Sequence, residues 1–140
     1  MIFFDTNVLV YLFDADAPEK QAQARELVKQ HTLAGDASIS TQVLQEFYVT
    51  VTRKLTKPLE PSHAYRSVQN FTATFSIIQL DADLILLAIK RSQKDLVSFW
   101  DALIIQAALR EKATLLYTED LQDGREIEGL LIKNPFKSTK

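Results

Sequence analysis

The chain has 140 residues, with 16 Lys and Arg against 18 Asp and Glu, a formal charge of −2, and 46% hydrophobic residues, the balance of an ordinary globular domain. It contains no cysteine, which excludes a disulfide framework, a thiolate nucleophile and a Cys-ligated metal. The histidines, His31 and His63, each stand alone and Gly35, Gly124 and Gly129 are dispersed, so a His-rich metal site, a Ser/His/Asp triad, a P-loop and a dinucleotide fingerprint all lack their residues.

The apolar run Met1-Ile2-Phe3-Phe4 reads as a buried strand that ends in the polar turn Asp5-Thr6-Asn7. A helix is expected from Val8 to Phe13, and a second from Pro18, closed by Gly35. Ala37 to Ser40 is a short strand. From Thr41 to Leu55, the residues Val43, Leu44, Phe47, Val51 and Leu55 recur at helical spacing, with Arg53 and Lys54 in the last turn. Pro58 and Pro61 mark a loop, Ser62 is a candidate cap, and Tyr65, Val68 and Phe71 share a helical face. Phe75 to Leu80 reads as a strand, and Asp81 caps a helix carrying Leu84, Leu87, Ala88 and Arg91. Phe99 to Arg110 is a helix apolar almost all round. Strands Thr114 to Tyr117 and Leu130 to Ile132 follow.

Strands alternating with helices imply crossover connections and a mostly parallel sheet of four to five strands flanked by helices: one α/β domain over residues 1–140. No apolar run reaches the length of a membrane span, and Met1 to Phe4 is too short for a signal peptide, so a cytoplasmic location is expected.

Carboxylates are the chemistry left, and in such a fold ligands gather beyond the carboxyl ends of the strands. Asp5 and Asp120 stand there. Asp5 reads equally as a helix N-cap. Asp101 lies in the apolar Phe99–Arg110 helix, where a carboxylate is costly unless paired, hydrogen-bonded or metal-bound. The alternative is a capping box with Ser98. Periodicity puts Glu46 nearly opposite the Val43–Phe47–Val51 stripe, on the solvent face, and Glu119 and Asp123 read as turn residues. Trp100 is expected in the core and both histidines at the surface.

Together these acids carry a resemblance. Asp5-Thr6-Asn7 followed by Val8-Leu9-Val10-Tyr11 resembles the opening motif of PIN-domain ribonucleases, and Ser40-Thr41-Gln42-Val43-Leu44-Gln45-Glu46-Phe47 resembles the second. Trp100-Asp101-Ala102-Leu103-Ile104 and Leu116-Tyr117-Thr118-Glu119-Asp120-Leu121 resemble the third and fourth, in order along essentially the whole chain. The length and the Glu119-to-Gly124 ending resemble the VapC-type toxins of toxin–antitoxin pairs. The resemblance implies a PIN-like fold in which Asp5, Glu46, Asp101 and Asp120 converge on one Mg²⁺- or Mn²⁺-binding pocket, supported by Asn7 and Thr118. It reverses the periodicity reading of Glu46, which would then face a cleft. Many family members place an Asp-x-Asp pair after the last motif threonine; here Glu119 and Asp120 follow Thr118, so Glu119 or Asp123 is an alternative to Asp120. An antitoxin partner and a homodimer are implied in the same way.

The donor set suits that chemistry. Crowded carboxylates raise one another's pKa values, and a hard divalent cation with oxygen ligands relieves the conflict. Such an ion activates water for hydrolysis of an RNA phosphodiester without a covalent intermediate. Arg53, Lys54, Lys57, Lys90, Arg91, Lys94, Lys137 and Lys140 are candidates for phosphate contacts. Two rivals remain: a haloacid-dehalogenase-like phosphatase, which needs an aspartate where Asn7 stands, and a PIN-like module that binds a partner without catalysis.

Overall fold

A computed structural model describes residues 1–136; Lys137 and Lys140 lie outside the described residues. Strand β1 (Ile2–Phe4) runs into helix α1 (Thr6–Tyr11), followed by α2 (Pro18–Ala34), β2 (Ala37–Ser40) and α3 (Thr41–Arg53). The chain continues through α4 (Pro61–Thr74), β3 (Ser76–Ile78), α5 (Ala82–Asp95), α6 (Phe99–Arg110), β4 (Leu115–Tyr117), β5 (Glu126–Ile127) and β6 (Leu130–Lys133).

The local signals act as their chemistry requires. Asp5 caps α1, so that helix starts earlier than the apolar pattern suggests. Gly35 takes the left-handed conformation that closes α2, at φ 72°. Ser40, Asp81 and Ser98 cap α3, α5 and α6 through their side chains. Ser62 is not a cap: α4 begins at Pro61 behind Glu60, because proline at the first helical position is pre-set in φ and has no amide to satisfy.

The sheet order is β3-β2-β1-β4-β6-β5, parallel throughout except for the β5–β6 pair. It therefore has six strands rather than four or five. The extra strand comes from a hairpin in which Glu128 and Gly129 link Ile127 to Leu130, with φ of 48° and 87°. Positive φ at both turn residues matches the right-handed twist of the strands, but Glu-Gly lacks the asparagine or aspartate that marks such turns in a sequence.

Because successive strands leave β1 on opposite sides, the order switches between β1 and β4. The gap beyond their carboxyl ends is where an open parallel sheet forms a crevice. Phe3, Phe4, Ile39, Phe47, Ile105 and Leu116 are fully buried around the sheet. Helix α6 packs on α5 and β2, and α3 packs on α1 and α4.

Three expectations change. His31 is buried, not at the surface: it bonds Asp36 at 2.9 Å and sits against Phe4 and Tyr117. Arg91 is engaged by Asp95, Glu128 and Gln106, tying α5 to the β5–β6 hairpin and α6, so it is no open phosphate contact. Trp100 is not in the core but 62% exposed, because α6 meets solvent at its first turn before its apolar stretch enters the protein.

Candidate acidic site

Asp5 follows β1 at the switch between β1 and β4, and is buried. Its Oδ1 accepts the Thr6 amide at 2.7 Å, and its Oδ2 accepts the Thr118 hydroxyl at 2.8 Å. Burial pushes the Asp5 carboxyl up to about 7; the bonds from Thr118 and Thr6 oppose the shift, and the charges of Asp120 and Glu46 add to it. Asp5 is thus both the helix cap and a member of an acidic group.

Glu46 is half-buried on α3 rather than on an open solvent face. The Thr6 hydroxyl donates to its Oε1 at 2.7 Å, and Gln42 Nε2 donates to its Oε2 at 3.2 Å. Asp101 stands in the first turn of α6, where its amide donates to Ser98 Oγ at 3.0 Å. Desolvation raises the Asp101 carboxyl; Ser98 lowers it, and Asp120 and Glu46 raise it further. Asp120 is exposed beyond β4, and its Oδ2 accepts Asn7 Nδ2 at 3.1 Å. The four acids come from the end of β1, α3, α6 and the loop after β4, and the charges of Glu46 and Asp120 act on both Asp5 and Asp101.

Thr118 and Asn7 join these parts. Thr118, fully buried, donates to Asp5 and accepts the Asp120 amide at 3.1 Å. Asn7 Nδ2 also reaches Thr118 Oγ1 at 3.3 Å, and Asn7 Oδ1 accepts the Glu119 amide at 3.3 Å. The alternatives to Asp120 turn elsewhere. Glu119 accepts the Tyr11 hydroxyl and the Lys20 ammonium, each at 2.6 Å. Asp123 Oδ1 accepts the Asn134 amide at 2.7 Å.

A cleft of about 630 Å³ carries Thr6, Asn7, Tyr11, Glu46 and Asp120, with Lys54 also on its wall. Arg53, the other basic residue expected beside it, is exposed but not among the lining residues. Among the described residues, no three acids or histidines are drawn close enough to form a ready-made metal cage. The donor set nonetheless fits a hard cation: it is all oxygen, and its innermost carboxyl is raised by burial and by neighbouring acids, a shift that a nearby positive charge opposes.

Residues 2–123 match the family model of the PIN domain. The chain belongs to this family. No curated protein matches the chain in sequence. Among solved structures, this PIN domain is similar in fold to a toxin–antitoxin complex from Klebsiella pneumoniae, with TM-score 0.69 and 21% identity over 97% of this chain and 98% of that one. A second is VapBC2 from Rickettsia felis bound to a promoter DNA fragment, with TM-score 0.65 and 22% identity over 96% and 98%. A third is VapC20 from Mycobacterium tuberculosis, a sarcin-ricin loop cleaving toxin, with TM-score 0.61 and 20% identity over 86% and 90%.

The site of this PIN domain also contains residues the sequence reading passes over. Thr6 and Gln42 hold the two oxygens of Glu46. Gln42 precedes Glu46 by one helical turn, so the i,i+4 relation was a usable signal. Its Nε2 also donates to the Trp100 carbonyl at 3.2 Å, while its buried Oε1 has no protein partner. The link to Trp100 is across elements and has no local signature.

Proposed function

We propose that this PIN domain is a divalent-metal-dependent endoribonuclease and the toxin of a toxin–antitoxin pair. The observation that carries the reading is the buried Asp5 carboxyl at the β1–β4 switch, which feels the charges of Glu46 and Asp120, the same two acids whose charges act on Asp101. Family membership and the likeness to toxin–antitoxin structures support the same reading.

Asp5 and Asp101 are the proposed direct ligands of Mg²⁺ or Mn²⁺, with Glu46 and Asp120 completing the site or accepting the proton of the attacking water. A bound divalent ion supplies a lowered water pKa and charge to offset the phosphate and the leaving oxygen. Thr118 and Thr6 fix both oxygens of Asp5. Thr6 and Gln42 orient Glu46, and Asn7 ties Asp120 to Thr118. Water adds to phosphorus, the bond to the 3′ oxygen breaks, and a proton reaches that oxygen, leaving 5′-phosphate and 3′-hydroxyl ends. Lys54 on the cleft wall is the proposed contact for a neighbouring phosphate, and Arg53 lies next to it in sequence.

Single-stranded or looped RNA is the proposed substrate, since loops expose both bases and backbone. A cognate antitoxin and a homodimer are the proposed partners. A phosphatase of the haloacid-dehalogenase type has less support, because the side chain of Asn7 is committed to Thr118, Glu119 and Asp120.

The test is cleavage of single-stranded and looped RNA by the purified protein with Mg²⁺ or Mn²⁺. Cleavage to 5′-phosphate ends, lost in Asp5→Asn, is the expected result. Equal cleavage by a well-folded Asp5→Asn protein overturns the proposed site, and no turnover by the parent favours a non-catalytic binding module. For the toxin role, induced expression should arrest growth, and harmless expression would point to general RNA processing.

A further inference from the structure

Trp100 is the chain's single tryptophan. It is 62% exposed at the first turn of α6 and is followed directly by Asp101. Among the described residues, the aromatic partner of its ring is Phe99, edge-on with centroids 5.2 Å apart at 69°, which steadies the indole without covering it. The backbone beneath it is also held. Gln42 Nε2 bridges the Trp100 carbonyl and Glu46 Oε2 at 3.2 Å each, so one buried side chain separates the tryptophan backbone from the acidic site. A large aromatic ring is costly to leave in water.

We propose that Trp100 is a stacking platform for one unpaired nucleobase of the RNA, next to the phosphodiester that is cut. The inference rests on the ribonuclease reading. Every base offers a π face, so an exposed ring one residue before Asp101, on a backbone tied to Glu46 through Gln42, grips single-stranded RNA without reading its sequence. The first turn of α6 adds the positive end of a helix, which suits the phosphate adjoining a stacked base. A second macromolecule seated on the ring, such as another copy of this chain, is the competing occupant.

Because the chain has one tryptophan, its emission reports on Trp100 alone. The measurement titrates the intact protein in EDTA, where no metal-dependent cleavage runs, with a short oligoadenylate and with an abasic strand of equal length. Saturable quenching by oligoadenylate, absent with the abasic strand, is the expected result. Trp100→Ala should weaken oligoadenylate binding, followed by anisotropy of a labelled strand, by about 10-fold or more, with Trp100→Phe in between. Unchanged affinity in Trp100→Ala, or equal quenching by the abasic strand, overturns the proposal. So does a blue shift with rising protein concentration and no response to RNA, which would mean that a second copy covers the ring. Failure of the nuclease reading appears separately, as absence of cleavage by the parent with Mg²⁺ or Mn²⁺.

Discussion

The Thr118 hydroxyl donates to Asp5 Oδ2 at 2.8 Å, across 113 positions of chain. It binds the end of β4 to the end of β1 where the sheet order switches, and the same oxygen accepts from Asn7 and from the Asp120 amide. Thr118→Val keeps the shape and removes all three bonds. It should cost about 1–3 kcal/mol of stability through stranded buried groups. It should also weaken Mn²⁺ binding and RNA cleavage by about 10- to 100-fold, as loss of a ligand-orienting partner does. Calorimetric titration with Mn²⁺ and a cleavage time course check both; full activity in the folded variant would remove Thr118 from the machinery.

Asp5 makes the metal-free protein sensitive to pH in a defined direction. Burial raises its folded carboxyl to about 7 from the ordinary 3.8, so between these values the folded state holds more protons than the unfolded state. Stability must then fall as pH rises from 4 to 7, by on the order of 4 kcal/mol from this group. Asp5→Asn should flatten that slope and be more stable than the parent at pH 8 in EDTA. Adding Mg²⁺ or Mn²⁺ at pH 8 should raise the parent's Tm and leave Asp5→Asn unmoved. Thermal melts at several pH values decide this, and a parent melt independent of pH would contradict the burial argument.

Gln42→Met keeps the volume and removes the donor shared by Glu46 and Trp100. Glu46 is then held by Thr6 alone among these donors, and cleavage should drop on the order of 10-fold. The variant should also relieve the unpartnered Oε1, so stability should hold or rise. Kinetics combined with a denaturant titration separates the two effects; a parallel loss of stability would mean that Gln42 serves the fold alone.

Glu119 and Asp120 are neighbours with different surroundings. Glu119 accepts from Tyr11 and Lys20, whereas Asp120 is tied to Asn7 and lies within electrostatic range of Asp5 and Asp101. Asp120→Asn should reduce cleavage by at least about 10-fold. Glu119→Gln should keep a rate near the parent's and shift stability by at most about 1 kcal/mol, since its partner Lys20 is well exposed. Cleavage assays on both variants test the assignment, and the reverse ranking would move the fourth acid to Glu119.

Five of the six strands, the helices and three of the side-chain caps were legible because each rests on local chemistry: apolar period, cap residue, proline at a helix start, glycine at its end; β5 was not, since its Glu128-Gly129 turn lacks a usual turn signature. The isolation of Asp5 after an apolar run and of Asp101 in an apolar helix marked both as unusual for the same local reason. Glu46 was not legible from its own helix. Periodicity records how apolar the opposite face is, and a cleft lined by polar groups looks in sequence like solvent. His31 and Trp100 were misplaced because residue type gives only an average burial, whereas Phe4, Tyr117 and Asp36 enclose the one and the exposed first turn of α6 frees the other. Which way the loop after β4 turns is set from other elements by Asn7, Tyr11 and Lys20, and that geometry is the ground for proposing Asp120 rather than Glu119. The sequence alone thus determined the α/β layout and the supply of carboxylates, since short-range patterns encode both. Which carboxylates face one another was decided only in the tertiary structure, because it depends on side chains more than a hundred residues apart in the chain meeting at one switch of the sheet.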